Sequence, residues 1–130
     1  MANQLDNVIK IMGGEKVFSY PSLTENELVQ QIRAGFPVGV IDSIMEQFSL
    51  TFEEMVKPLG VTLSIIKYLH KQTQLSPQVS DRLFLLSSIL SEATETLGNH
   101  EKAARWIHKS NRSLAGDTPL SRIDTSIGRQ

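Results

Sequence analysis

Apolar residues recur along most of the chain at spacings of three and four, the period of an amphipathic helix, and nowhere alternate as in a strand. The pattern predicts an all-α fold. Leu5, Val8, Ile9 and Met12 mark a short first helix that Gly13-Gly14 stops. Val17-Phe18, ahead of Ser19-Tyr20-Pro21-Ser22, reads as an extended connector, because Pro21 biases Tyr20 away from helix. Thr24 and Glu27 have the spacing of a capping box, stapled by Leu23 and Leu28. The helix they open directs Leu28, Val29 and Ile32 inward and ends at Gly35. Pro37 suits the first turn of a third helix, in which Val38, Ile41, Met45 and Phe48 share a face that Ile44 widens.

The middle of the chain carries the clearest local signals. Thr51 and Glu54 form a second capping box, stapled by Leu50 and Met55. Gly60 ends that helix where a positive φ is expected, and Thr62 caps the next. Two short helices joined by a glycine turn make a helix-turn-helix, which Met55, Val56, Leu59, Val61, Ile66 and Leu69 would lock together. Pro58 removes a backbone donor near the end of the first of them and is expected to kink or shorten it. After a polar connector over residues 72–75, Ser76 caps the longest helix, with Pro77 at its first position. Val79, Leu83, Leu86, Leu90, Ala93 and Leu97 form its seam, and Phe84, Leu85 and Ile89 make a second apolar face. A helix apolar on two faces belongs at the centre of a fold, a place compatible with a seam shared by two copies. Gly98 ends it and Asn99 caps another helix with Ala103, Trp106 and Ile107 on one stripe. Residues 111–120 are rich in turn formers, and Pro119-Leu120 is expected to open a single helical turn around Ile123.

At 130 residues the chain is one domain, or one domain with a small module appended. The absence of cysteine excludes disulfides, thiolate zinc sites and thiol catalysis, and fits a cytoplasmic protein. No apolar run approaches the roughly 18 residues of a membrane span. His70, His100 and His108 have no metal-ligand spacing and read as surface histidines, and no glycine-rich phosphate loop occurs. The reading is therefore of a protein that is not an enzyme and takes no cofactor, metal or small-molecule ligand.

A net charge of −1 is not that of an obvious nucleic-acid binder, yet the charges are unevenly spread. Acidic residues dominate before residue 57, whereas Lys57, Lys67, Lys71 and Arg82 face only Asp81 in the stretch that follows. Base edges are read from the N-terminal part of a recognition helix, which here presents Leu63, Ser64, Lys67 and Tyr68. Thr62 and Lys71 flank them and complete the candidate DNA-binding set. Lys67 can serve a phosphate or guanine, Tyr68 can donate to a phosphate, and Leu63 offers only an apolar contact. Such a surface would bind mainly through phosphates, with strong salt dependence.

Beyond the helix-turn-helix, Trp106, Asn111, Leu114, Gly116, Thr118-Pro119-Leu120, Asp124-Thr125 and Gly128 form an order less generic than any one of its residues. Together with Gly35-Phe36-Pro37, the run Leu75-Ser76-Pro77-Gln78-Val79-Ser80-Asp81-Arg82-Leu83, Leu97-Gly98 and Glu101-Lys102-Ala103, it makes the chain resemble the Xre/MbcA/ParS family of antitoxins, partners of RES-domain toxins, over residues 32–128. The resemblance implies a homodimer with two tasks. A C-terminal module would bind the RES toxin and block its NAD-consuming active site, and the helix-turn-helix would bind operator DNA and repress the toxin–antitoxin operon. It implies an N-terminal helix and connector over 1–22, an Xre-like domain over 23–98 and a toxin-binding domain over 99–130. The implied toxin-binding residues are Trp106, Asn111, Leu114, Gly116, Thr118, Pro119, Leu120, Asp124 and Gly128. In the family this module continues beyond the Gly128 position into another helix and a short tail, so a truncated module is expected here. Ala115 also stands where many relatives have glycine. The competing readings are a stand-alone Xre-type transcriptional regulator and an adaptor that does not bind DNA.

Overall fold

A computed structural model of the chain describes residues 4–19, 23–109 and 118–119. Among them are eight helices: α1 (Gln4–Ile11), α2 (Glu15–Phe18), α3 (Glu25–Ala34), α4 (Gly39–Phe48), α5 (Phe52–Leu59), α6 (Leu63–Leu69), α7 (Pro77–Leu97) and α8 (His100–His108). No strand occurs among the described residues, only an isolated bridge between Pro37 and Gln74. Five of the helix starts are fixed by one side chain each. Thr24, Thr51, Thr62, Ser76 and Asn99 accept the backbone N–H three residues on, as their spacing predicts. At Thr24 and Thr51 the box closes, with Glu27 and Glu54 accepting the cap residue's own amide at 2.9 and 3.0 Å. The Thr24 amide, then its hydroxyl, hold the Glu27 carboxyl below its ordinary value of 4.5. That contribution to the α3 cap is therefore present at neutral pH and is lost as pH falls through the lowered value.

Helix α7 occupies the centre. It packs against α1, α3, α4, α5 and α8, with Val79, Leu83, Leu86 and Leu90 buried in the core. Ser80, Ser87 and Ser91 are buried on the same helix, so the inner face is less apolar and more closely approached than a leucine seam implies. Phe84, Leu85 and Ile89 are half-buried, as are Ala93 and Leu97. The carbonyl of Ile11, at the end of α1, is satisfied by α4, whose Ser43 hydroxyl and Gln47 amide both donate to it at 2.8 Å.

Four expectations need correction. Residues Val17 and Phe18 are not an extended connector but part of the helical turn α2. The restriction imposed by Pro21 reaches only Tyr20. Gly14, at φ 56°, restarts the helix, and Phe18 is buried edge-on against the Phe36 ring at 5.5 Å. Pro37 lies before α4 rather than in its first turn, because its strand-like pairing with Gln74 claims it first. With the helix starting at Gly39, the buried face of α4 is Val40, Ile41, Ile44 and Phe48, while Val38 and Met45 are half-buried. Val29 is not inward; it is 37% exposed, and only Leu28 of α3 is buried. Pro58 does not shorten α5, which runs on to Leu59, because only its last turn lacks the donor.

The segment from Gly35 to Pro37 is where the chain is clamped. The Leu75 amide donates to the Phe36 carbonyl at 2.8 Å and the Val38 amide to the Thr73 carbonyl at 3.1 Å. The Gln74 side-chain amide donates to the carbonyls of Ala34 and Gly35. The Phe36 amide, fully buried, donates to the Ser80 hydroxyl at 2.6 Å, which in turn donates to the Ser76 carbonyl at 2.7 Å. Ser80→Ala leaves that buried N–H without an acceptor and is expected to lower stability by about 1–3 kcal/mol. Ser88→Ala is the control: its hydroxyl bonds only the Phe84 carbonyl of its own helix. Urea midpoints of the two variants should differ accordingly, with Ser88→Ala within about 0.5 kcal/mol of the parent.

Candidate functional site

The helix-turn-helix is built from short-range chemistry and then buttressed from elsewhere. Gly60, at φ 67° and ψ 31°, donates its amide back to the carbonyls of Val56 and Lys57 and ends α5. The Val61 amide returns to the Val56 carbonyl at 3.3 Å, and the Thr62 hydroxyl then accepts the Ile65 amide to start α6. Met55, Leu59 and Ile66 are buried in the core, where α5 packs against both α6 and α7; Val56, Val61 and Leu69 are partly buried against that core. Turning Ile66 inward leaves a definite outer face on α6. Ser64, Lys67 and Lys71 are exposed, Tyr68 is 62% exposed and Leu63 is half-buried. Thr62 is exposed, with its hydroxyl occupied by the cap. The six sequence-selected positions therefore lie on one short segment, five of them open to solvent.

Two features of this surface went unread in the sequence. Ile65 is 44% exposed beside Ser64, an apolar group on the reading face. The signal was available: α6 is too short to bury both Ile65 and Ile66, and Ile66 falls with Leu63 and Leu69 on the inner period. His70 is not an unpartnered surface histidine. Its Nε2 lies 2.7 Å from the Asp42 carboxylate of α4, and its ring meets Phe52 of α5 edge-on at 5.1 Å. These contacts fix the end of α6 against two other helices. Lys57, Lys67, Lys71 and Arg82 make no ion pair among the described residues, so their charge is available to an anionic partner.

The second candidate surface lies at the other end of α7. Ala103 and Ile107 of α8 are fully buried, and His100 stacks edge-on to Phe48 with ring centres 5.0 Å apart. Trp106 is half-buried and lines a groove of about 310 Å³ with Ile89, Glu92, Ala93, Thr96 and Leu97. Thr118 is half-buried and Pro119 buried. Asn111, Leu114, Gly116, Leu120, Asp124 and Gly128, with the turn expected around Ile123, lie outside the described residues. His108 reaches from α8 to the Glu54 carboxylate of α5 at 2.7 Å. No group of three potential metal ligands, and no helix long and apolar enough to cross a membrane, occurs among the described residues.

Comparison with known proteins coincides with both surfaces. Residues 27–88 match the antitoxin Xre-like helix-turn-helix domain, and residues 92–130 match the antitoxin Xre/MbcA/ParS C-terminal toxin-binding domain. The chain is 26% identical over 110 residues to Antitoxin Xre of Yersinia enterocolitica, covering 83% of this chain and 74% of that one. It is 23% identical over 115 residues to Antitoxin Xre of Photorhabdus laumondii, covering 87% and 78%. With Antitoxin Xre of Pseudomonas putida the identity is 28% over 117 residues, covering 88% and 72%. With a helix-turn-helix whose outer face is open and a toxin-binding domain joined to it through one central helix, the chain belongs to the family of Xre-type antitoxins.

Proposed function

We propose that this antitoxin binds a RES-domain toxin in the cytoplasm, bars NAD from its active site, and as a homodimer represses its own operon. The observation that carries the reading is the coexistence, in one chain, of an outward-facing recognition helix and a matching toxin-binding domain. In this reading Trp106 anchors the toxin-binding surface to the helices. Asn111, Leu114, Gly116, Thr118, Pro119, Leu120, Asp124 and Gly128 are the other residues this reading assigns to toxin binding. Thr62, Leu63, Ser64, Lys67, Tyr68 and Lys71 form the DNA-binding set, and the exposure of Ser64, Lys67, Tyr68 and Lys71 supports it. The test is co-expression with a RES-domain toxin. A stable complex in which NAD survives supports the reading; two proteins that elute separately and unrestrained NAD loss overturn it.

The DNA-binding half has its own test. Lys67 is an exposed cation on the outer face of α6 with no ion pair among the described residues, and in this reading it serves a phosphate. Lys67→Ala is expected to weaken operator binding and to lower the slope of log affinity against log salt by about 1 per subunit. Fluorescence anisotropy across a salt series measures both. An unchanged slope removes Lys67 from the interface, and no binding by the parent at low salt favours the adaptor.

A further inference from the structure

His108 holds a position that constrains its protonation state. Its Nδ1 lies 2.7 Å from the Ala104 carbonyl oxygen, one turn back on α8, which can only accept. Its Nε2 lies 2.7 Å from Glu54 Oε2 on α5. The other oxygen of the same carboxylate already accepts the Thr51 amide and hydroxyl, at 3.0 and 3.2 Å, in the α5 capping box. Serving both acceptors requires a proton on each ring nitrogen, so the arrangement is that of an imidazolium against a carboxylate. A neutral ring has one proton to give. If it keeps the bond to Ala104 within its own helix, it turns a lone pair onto Glu54. Both side chains are about seven-tenths shielded from solvent, at 31% and 29% exposed, so the mismatch is not fully relieved by water.

We propose that His108 and Glu54 form a proton-dependent latch that holds α8, the helix of the toxin-binding domain, to the first helix of the helix-turn-helix. The latch is closed when both ring nitrogens carry a proton and weakens when the ring gives one up. The other charged groups lining this place are His100, Glu101 and Arg105 of α8 and Lys109 just after it. With His108 they line a groove of about 600 Å³, to which Gln47 of α4 and Ser49 just after α4 add only uncharged groups. From α5 the facing group is Glu54. The same carboxylate thus closes the cap of α5 and seats α8, so one proton is shared between the structure of the DNA-binding unit and the placement of the toxin-binding one.

The chain contains a single tryptophan, Trp106, two residues before His108, so its emission reports α8 directly. Emission of the whole chain is followed from pH 5.5 to 8.5 under native conditions. The expected result is a red shift on raising the pH that disappears in His108→Gln and in Glu54→Gln, and persists in His70→Gln and His100→Gln. Glu54→Gln keeps a side-chain oxygen for the Thr51 amide, so it tests the latch with the α5 cap intact even where the histidine variant folds poorly. A profile unchanged in Glu54→Gln, or one abolished instead by His70→Gln or His100→Gln, overturns the proposal.

Discussion

Gly35→Ala is expected to be the most damaging single-methyl change in the described part of this chain. Gly35 has φ 95° and ψ 128°, a conformation that side chains rarely adopt, and a Cβ there would overlap the Leu75 carbonyl oxygen well inside contact distance. The obstacle is backbone, not a side chain that can swing away. Relief requires parting the 35–38 segment from the 73–75 connector. That breaks the amide–carbonyl bonds of Leu75 to Phe36 and of Val38 to Thr73, and disturbs the buried Phe36–Ser80 bond. Backbone strain alone costs about 1–3 kcal/mol, and disruption of the clamp brings the expected loss to about 4 kcal/mol. Set against a typical domain stability of about 5–15 kcal/mol, that is a large share. The midpoint of thermal unfolding should fall by about 15 °C. Gly98→Ala isolates the backbone part: φ is 108° there, but an added Cβ meets nothing within 4 Å, so its melting temperature should fall much less. Equal losses in the two variants would mean that conformation, not the contact with Leu75, sets the requirement for glycine at position 35.

That clamp also marks the boundary of what could be read from the sequence. Capping boxes and the Gly60 turn involve residues three to five apart, so the chain announces them locally, and the structure contains the boxes at Thr24 and Thr51 and the Gly60 turn followed by the Thr62 cap. The central place of α7 was legible for the same reason, because two apolar faces on one helix leave few other arrangements. Pairings across 37 or 44 residues leave no such mark. Nothing near Ser80 says that its hydroxyl will hold the amide of Phe36, nor does anything near Pro37 say that Gln74 will pair with it. The preference of proline for a first helical turn therefore placed Pro37 in a helix, and the bias of Pro21 on its neighbour placed Val17-Phe18 in a connector. The same limit applies at the candidate surfaces. The outer face of α6 followed from its period. The partners of His70 and His108, Asp42 and Glu54, come from α4 and α5 and had no signal in spacing. The family-matching order after Trp106 was recognisable as an order, although most of its residues lie outside the described ones.

Phe48→Ala is expected to cost about 3–5 kcal/mol, the range for emptying a buried aromatic site. Phe48 is the last residue of α4, has no exposed surface, and meets the His100 ring at the start of α8. Its position makes the loss directional. The cavity opens beneath α8, whereas the α5–α6 pair keeps Met55, Leu59 and Ile66 buried and α5 keeps its packing on α7. The helix losing its seat carries Trp106, so tryptophan emission follows α8 while far-UV circular dichroism follows the helices together. In the parent the two signals should give one urea transition, as in a cooperative domain. In Phe48→Ala the emission change should precede the loss of helix, because α8 opens below the free energy of global unfolding. Phe48→Leu restores most of the lost volume, should cost less than about 1.5 kcal/mol, and should bring the two transitions back together. Coincident transitions in Phe48→Ala would show instead that α8 cannot leave without the bundle. The toxin-binding and DNA-binding parts would then be one folding unit, and a mutation beneath α8 would weaken both activities to the same degree.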